Sequence, residues 1–150
     1  MKQGYLETIR LIERLHRRFL DVIKTELDRL GVEDINNVQT LILSNIGNET
    51  LTVGELTARG YYLGSNVSYN VKKLVETGYL NQERSPHDRR MTRVHLSDKG
   101  LSLCERIDEL YQRNAGELAG EVLSEDQLIA TNRALGSLER YWTNFITYSR

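Results

Sequence analysis

Apolar residues recur every three or four positions along the first part of the chain, the spacing of one face of a helix. The stripe consists of Tyr5, Ile9, Ile12, Leu15, Phe19, Ile23, Leu27 and Leu30. Gly31 follows it, and glycine readily ends a helix because it adopts the left-handed backbone conformation. The pattern predicts an amphipathic helix over 6–30, about 37 Å long at 1.5 Å per residue.

Shorter helices are predicted in the next part of the chain. Asp34 is placed to cap a helix over 35–46. Thr52 and Glu55 have the spacing of a capping box, which opens a short helix ending at Gly60. Ser65 begins another helix, whose inner stripe is Val67, Val71 and Leu74 and which ends at Gly78.

The apolar period then changes from that of a helix to that of a strand. Residues 79–84 and 91–96 alternate between apolar and polar side chains. The polar segment 85–90 between them contains the only proline and three basic residues, His87, Arg89 and Arg90. Two alternating runs around a short polar turn predict a β-hairpin with a charged tip.

Two more amphipathic helices are predicted in the last third of the chain. Ser97 is expected to cap a helix whose inner stripe is Leu101, Cys104, Ile107, Tyr111 and Leu118. Ser124 and Gln127 form a second capping box. The helix that follows carries Leu128, Leu135, Leu138, Trp142 and Phe145. Because no repeat or linker interrupts these elements, residues 1–150 are expected to form a single domain.

Composition narrows the class of protein. With 150 residues, 39% hydrophobic and 27% charged, the chain is unlike disordered or collagen-like sequences. No apolar run reaches the roughly 20 residues of a membrane span, and we expect no secretory signal at the N-terminus. The single cysteine, Cys104, excludes an intrachain disulfide and favours a reducing cytoplasm as the location. We expect this thiol to be buried and inert, rather than an oxidant sensor.

Charge is distributed unevenly along the chain. Met1–Thr52 has a net charge of −1, whereas Val53–Lys99 has eight basic against five acidic residues, a net charge of +3. Gly100–Arg150 has five basic against eight acidic residues, a net charge of −3. A basic middle between neutral and acidic flanks indicates an anionic partner for the middle segment alone.

Two short helices followed by a hairpin are typical of a winged helix-turn-helix, which places its second helix in the major groove of DNA. On a helical wheel, the outward positions of that helix are Ser65, Asn66, Tyr69, Lys72, Lys73 and Glu76. Hydroxyl and amide groups near its start suit base edges, with Ser68 as a further candidate, and the lysines suit phosphates.

The hairpin tip supplies a second candidate contact with DNA. His87, Arg89 and Arg90 suit a narrow, electronegative minor groove. Asp88 lies among these basic residues, where its carboxylate is expected to hold an arginine in one pose by a charge-assisted hydrogen bond.

These motifs together resemble the MarR family of bacterial transcription regulators over roughly Leu6 to Phe145. The segment 88–100 fits the family's wing pattern of Asp-x-Arg, an alternating strand and Leu-Thr/Ser-x-x-Gly, and the segment 74–80 resembles its exit from the recognition helix. The resemblance implies that Arg90 enters the minor groove and that Asp88 orients it. The stretch Arg59 to Tyr69 resembles the LdtR-type branch, which is associated with cell-wall L,D-transpeptidase genes and stress responses.

The expected fold is mainly α with a small β-hairpin wing. Residues 35–97 are predicted to form the winged helix-turn-helix DNA-binding lobe, and residues 6–30 and 101–148 to form dimerisation helices. Aromatic and apolar side chains crowd the last turns, where a monomer would expose a large apolar patch. A homodimer covers that patch and sets two recognition helices about 34 Å apart, which predicts a palindromic or near-palindromic DNA site.

The resemblance also implies a small aromatic effector, because family members bind aromatic anions where the dimer helices meet the DNA-binding lobe. The corresponding residues here are His16, Phe19, Tyr61 and Tyr62. No cofactor or metal site is predicted, and an enzyme is not expected. The sequence has no glycine-rich phosphate loop, and its three histidines are scattered.

The function predicted from the sequence is therefore sequence-specific binding of double-stranded DNA by a cytoplasmic homodimeric transcriptional regulator. Either repression or activation is compatible with these features. One alternative is an architectural DNA-binding protein without ligand input. Another is a protein-interaction module that uses the same helices.

Overall fold

The structure is a computed structural model that describes residues 1–59, 64–88 and 90–149, with the side chains of residues 64 and 65 left out. The helices are α1 (Lys2–Leu30), α2 (Asn37–Ile46), α3 (Val53–Ala58), α4 (Gly64–Glu76), α5 (Asp98–Leu118) and α6 (Glu125–Tyr148). The strands are β1 (Leu51–Thr52), β2 (Leu80–Arg84) and β3 (Thr92–Leu96). This mainly helical architecture with a small antiparallel sheet confirms the predicted fold class.

The chain divides into two compact units, Met1–Asp108 and Glu109–Arg150. The first contains α1 to α4, the sheet and the start of α5. The second contains the rest of α5 and all of α6. Among the described residues, no helix combines the length and the apolar character needed to cross a membrane.

The first helix ends where predicted and begins four residues earlier. Gly31 adopts the left-handed conformation at φ 72°, and its N–H binds the last turn of α1. Only the C-terminal part of the predicted apolar stripe is buried in the first unit. Ile23 and Leu27 are buried there, whereas Leu15 and Phe19 are exposed.

The prediction that Asp34 caps α2 is wrong. The cap is Asn36, whose side chain accepts from the Gln39 N–H at 2.8 Å, while the Gln39 side chain accepts from the Asn36 N–H at 2.9 Å. The Asp34 carboxylate is bound instead by Tyr79 and Lys99, which are distant in sequence.

The predicted cap of α3 is present in modified form. The Thr52 hydroxyl accepts from the Glu55 N–H at 3.0 Å, but the Glu55 carboxylate binds the same hydroxyl at 3.2 Å rather than a backbone N–H. Thr52 also belongs to β1, a short strand that the sequence did not predict. The predicted end of α3 at Gly60 lies outside the described residues.

The sheet has the order β1-β3-β2 and is antiparallel throughout. The predicted hairpin is therefore confirmed, with Leu80 opposite Leu96 and Arg84 opposite Thr92, and β1 adds a third strand through the pairing of Leu51 with Val94. The buried side chains of the first unit come from every one of these elements. They include Ile42, Leu43, Ile46, Leu56, Val67, Leu74, Leu80, Val94, Leu103 and Ile107.

The start of α5 is rotated relative to the prediction. Leu103 and Ile107 are buried, whereas Leu101 is exposed and Cys104 is half-buried. The rotation follows from Gly100, which is buried against the carbonyl group of Tyr79. Leu103 and Ile107, three and seven residues after Gly100, then face the same side of the helix as Gly100.

In the second unit, α6 begins at the predicted capping box. The Ser124 hydroxyl accepts from the Gln127 N–H at 3.1 Å, and the Gln127 side chain accepts from the Ser124 N–H at 2.9 Å. Many large apolar side chains of this unit are exposed, including Leu128, Ile129, Leu135, Tyr141, Phe145, Ile146 and Tyr148.

Candidate nucleic-acid interface

The orientation of α4 is fixed by its buried stripe. Val67, Val71 and Leu74 are buried, as predicted. The opposite side of the helix is exposed at Asn66, Ser68, Tyr69, Lys72 and Lys73. The structure thus presents five of the predicted contact residues on the surface of one helix, and the side chain of Ser65 lies outside the described residues.

Tyr69, Lys73 and Glu76 are neighbours on this surface. The Tyr69 side chain is 61% exposed, and Lys73 Nζ lies 6.0 Å from the centroid of its ring. Lys73 Nζ also lies 3.8 Å from a Glu76 carboxylate oxygen. Tyr69 is therefore a large, accessible side chain that is not committed to the core.

A hydrogen bond from α2 also helps to set the position of α4. Gln39 Nε2 donates to Asn70 Oδ1 at 3.1 Å, while Gln39 Oε1 accepts from the Asn36 N–H in the cap of α2. Gln39 is buried, and each end of its amide has a partner, which is how buried polar groups avoid the cost of desolvation. Sequence reasoning missed this contact. The spacing of Asn36 and Gln39 is typical of a capping box and could have predicted the cap of α2, but no local signal indicates the contact with Asn70.

The wing tip is a closed turn between β2 and β3. The Ser85 N–H donates to the Met91 carbonyl at 2.8 Å, and the Met91 N–H donates to the Asp88 carbonyl at 3.0 Å. His87 is exposed at this tip. Arg89 lies outside the described residues.

Asp88 and Arg90 form a hydrogen-bonded pair within this turn. Asp88 Oδ1 accepts from the backbone N–H of Arg90 at 2.9 Å and from its Nε at 3.2 Å. The backbone hydrogen bond first, and the side-chain hydrogen bond second, hold the pKa of Asp88 below its ordinary value. The Arg90 side chain is 91% exposed, so its guanidinium is oriented at one edge while it faces solvent.

Arg93 belongs to β3, and its side chain reaches across to β2. Its guanidinium donates to Glu83 Oε1 at 3.0 Å, and these two residues are opposite each other in the β2–β3 register. The pair neutralises both charges on the body of the wing. Arg93 therefore differs from Arg90, whose partner belongs to the tip itself.

The predicted effector residues are described only in part. His16 and Phe19 are exposed on α1, and Tyr61 and Tyr62 lie outside the described residues. A hollow of about 240 Å³ on α1 is lined by Arg14, Arg17, Arg18 and Asp21. His16 and Phe19 do not line it, because they lie on the other side of the helix.

Cys104 is half-buried rather than fully buried as predicted, and its low reactivity stays a prediction. Burial raises the pKa of this thiol, although a hydrogen bond with Ser44 acts in the opposite direction. A raised pKa lowers the fraction of reactive thiolate. Across residues 1–59, 64–88 and 90–149, no cluster of three His, Cys, Asp or Glu side chains is arranged to hold a metal ion.

An exposed helix with a polar outer face, followed by an antiparallel wing, defines a winged helix-turn-helix protein. The model of the MarR family matches residues 33–91. A curated relative, the exopolysaccharide II synthesis transcriptional activator ExpG of Rhizobium meliloti (strain 1021), is 38% identical over 144 residues, which are 96% of this chain and 74% of the relative. The chain belongs to the MarR family of transcriptional regulators.

Two solved structures share the fold. Streptococcus pneumoniae FabT in complex with DNA aligns with a TM-score of 0.74 at 20% identity, covering 94% of this chain and 99% of FabT. Staphylococcus aureus MarR in complex with salicylate and kanamycin aligns with a TM-score of 0.78 at 21% identity, covering 95% of this chain and 94% of that protein.

Proposed function

We propose that this regulator binds double-stranded DNA by sequence, with α4 in a major groove and the wing in the adjacent minor groove. The observation that carries the proposal is the pair of Asp88 and Arg90. It presents an exposed guanidinium, already oriented, at the tip of a wing that follows the exposed helix. The FabT structure, whose fold is shared, was determined with DNA.

The proposal assigns a role to the predicted contact residues on α4 and on the wing. Near the start of α4, Ser65, Asn66, Ser68 and Tyr69 meet base edges, where hydroxyl and amide groups can both donate and accept hydrogen bonds. Lys72 and Lys73 contact phosphates. On the wing, Arg90 enters the minor groove, and His87 and Arg89 contact the backbone beside it.

Selection of bound duplexes from random-sequence DNA tests the proposal directly. An enriched, near-palindromic sequence is expected, and titration should show much tighter binding to it than to a random duplex of the same length. Absence of binding to either duplex, even at low salt, would refute the proposal and favour a protein-interaction module.

We further propose that the protein acts as a homodimer. Tyr141, Phe145 and Tyr148 follow one side of α6 at helical spacing, and Phe145 is 58% exposed within the chain. Apolar surface of this kind is typical of interaction sites. A two-fold axis would also explain a palindromic site.

Light scattering measures the mass of the particle and tests this directly. The wild type should have twice the mass of the chain at micromolar concentration, and Phe145→Asp should shift it toward the monomer. Thr143→Asp places the same charge on another side of α6 and serves as the matched control. A monomeric wild type would contradict the proposal.

The predicted aromatic effector also becomes a proposal. The relative of known structure from S. aureus was crystallised with salicylate, an aromatic anion. The arginine side chains that line the hollow on α1 supply positive charge that suits an anion, but this hollow lies on a different surface of α1 from the one that carries His16 and Phe19. We retain His16, Phe19, Tyr61 and Tyr62 as the predicted contact residues. An effector must bind the DNA-competent and incompetent conformations with different affinities.

A panel of aromatic acids, including salicylate, tests the effector proposal through DNA affinity and Tm. A shift in DNA affinity with at least one acid is expected. If none changes either quantity, the architectural alternative without ligand input is favoured. The LdtR-type branch also stays a prediction, and genome-wide mapping of occupied promoters tests it: enrichment at L,D-transpeptidase genes is its expected result.

A further inference from the structure

The C-terminal end of the recognition helix is held by the start of α5. Three residues, Thr77, Gly78 and Tyr79, directly follow α4. The backbone carbonyl group of each accepts a hydrogen bond from the segment Ser97–Lys99, where α5 begins. The Ser97 hydroxyl donates to the Gly78 carbonyl at 2.6 Å, and the Ser97 N–H donates to the Tyr79 carbonyl at 3.0 Å. Lys99 Nζ donates to the Thr77 carbonyl at 2.9 Å. Two residues, Ser97 and Lys99, therefore bind all three carbonyl groups.

Lys99 also connects this turn to the segment before α2. Its Nζ donates to Asp34 Oδ2 at 2.8 Å, and the Tyr79 hydroxyl donates to Asp34 Oδ1 at 2.7 Å. The same Nζ lies 4.3 Å from the centroid of the Tyr79 ring. Both carboxylate oxygens of Asp34 thus have a donor, and Lys99 links two other segments of the chain, Asp34 and Thr77–Tyr79.

Gly100 allows the two backbones to approach closely. A Cβ atom at this position would lie 2.3 Å from the Tyr79 carbonyl oxygen, closer than any real side chain allows. The Gly100 N–H also donates to the Ser97 hydroxyl at 3.1 Å. We name Asp34, Thr77–Tyr79 and Ser97–Gly100 together the clamp.

We propose that the clamp fixes the orientation of α4 relative to the start of α5, and that base selection in the major groove depends on it. Lys99 and Asp34 are then positioning residues, and the proposal rests on the DNA binding proposed above. Directional contacts with bases require side chains placed within about 0.5 Å of their productive position. Attraction between lysines and phosphates acts over longer distances and tolerates small rotations of α4.

Binding to a selected duplex and binding to a random duplex therefore distinguish a positioning role of Lys99 from an electrostatic one. A positioning residue affects the discrimination between a selected and a random duplex. A residue that contacts phosphate weakens binding to both duplexes alike and lowers the dependence on salt concentration.

Lys99→Met is the test variant, and Lys24→Met is its matched control. Lys24 also forms an ion pair with an aspartate, with 3.1 Å between Lys24 Nζ and Asp28 Oδ2, but on the surface of α1. Both substitutions remove one positive charge and one Lys–Asp pair. The affinity of the chain of residues 1–150 is measured for the selected duplex and for a random-sequence duplex over a range of salt concentrations.

Lys99→Met should lose about tenfold in affinity for the selected duplex, the loss typical of one mismatched base pair. Its affinity for the random duplex should stay within about twofold, and its salt dependence should be that of the wild type. Lys24→Met should match the wild type on both duplexes, and Lys99→Arg, which keeps the charge and the donors, should recover most of the discrimination. Melting temperatures establish that each variant is folded.

Equal losses on both duplexes with a weaker salt dependence would overturn the proposal and make Lys99 a phosphate contact. Unchanged binding of the selected duplex would overturn it as well. If Lys99→Met does not fold, Tyr79→Phe takes its place, because it removes only the hydroxyl that binds Asp34. A loss confined to the selected duplex is then expected, and equal losses on both duplexes or no loss would overturn the proposal. A wild type that fails to distinguish the duplexes refutes the proposed function instead.

Discussion

Replacement of Gly100 by alanine sets two physical effects of opposite sign against each other. Gly100 lies in the first turn of α5, and alanine in a helix is about 1 kcal/mol more favourable than glycine. Helix propensity alone therefore predicts a more stable protein. The added Cβ, however, would meet the Tyr79 carbonyl oxygen at 2.3 Å.

The steric cost should exceed the gain in propensity. Restoring an ordinary contact distance requires the two backbones to separate by about 1 Å, since non-bonded atoms rest about 3.5 Å apart. Overpacking of this kind costs about 1–3 kcal/mol, and loss of the hydrogen bond between the Ser97 N–H and Tyr79 adds about 1 kcal/mol. We expect a net loss of about 2 kcal/mol, which lowers Tm by about 4–8 °C for a chain of this size.

Urea unfolding followed by circular dichroism measures this change, at one protein concentration because the unfolding of the proposed dimer would depend on concentration. Gly116→Ala is the control, because Gly116 lies in the same helix and nothing lies within 4 Å of its added Cβ. That control should gain up to about 1 kcal/mol. A Gly100→Ala protein as stable as the wild type, or more stable, would refute the close approach of α5 to Tyr79.

Three further predictions concern single side chains. Lys72→Ala should weaken binding to all duplexes similarly and lower the salt slope by about one unit; a change confined to one sequence would contradict a phosphate contact. Burial acts to raise the pKa of Asp34, but hydrogen bonds from Lys99 and Tyr79 outweigh it and lower the pKa below its ordinary 3.8. The contribution of ionised Asp34 to stability is therefore present above the ordinary pKa and is lost as the pH falls through the lowered pKa. The difference in unfolding free energy between wild type and Asp34→Asn should shrink in acid, and a constant difference would contradict this. Cys104 should react slowly with a thiol reagent at neutral pH in the folded protein and rapidly in urea, because burial raises the pKa of the thiol; equal rates would contradict its partial burial.

Local patterns in the sequence predicted the elements that depend on neighbouring residues. The stripe of Val67, Val71 and Leu74 defines the inner face of α4, because three or four residues separate its members. The pairing of Asp88 with Arg90 spans only two residues, so spacing and charge were enough to predict a contact between Asp88 and an arginine. The hairpin was predictable for the same reason, since its strands alternate regularly on each side of a short turn.

Contacts between distant residues explain where the sequence was misleading. Asp34 is of a residue type that often caps helices, but its carboxylate binds Lys99, 65 residues further along the chain. β1 contains two residues, too few for a period, and forms only because β3 lies beside it. The rotation of α5 is set by the contact between Gly100 and Tyr79. The spacing of apolar residues within α5 does not indicate this contact, because Tyr79 lies outside the helix. Tertiary packing decided each of these features.

The most direct test of the proposed DNA interface compares Arg90→Ala with Asp88→Ala in the affinity for the selected duplex. Loss of the oriented guanidinium should cost about 1–3 kcal/mol of binding. Asp88→Ala removes a negative charge from a loop that we propose faces DNA, so simple electrostatics predicts tighter binding. Because Asp88 holds Arg90 by hydrogen bonds to its backbone and side chain, we predict weaker binding instead.

Fluorescence anisotropy titrations of both variants, with mass and Tm confirming an intact fold, provide this measurement. Weaker binding by both variants is the predicted result. Tighter binding by Asp88→Ala together with unchanged binding by Arg90→Ala would contradict the account, and the wing would then be a solvated turn without a role in DNA recognition.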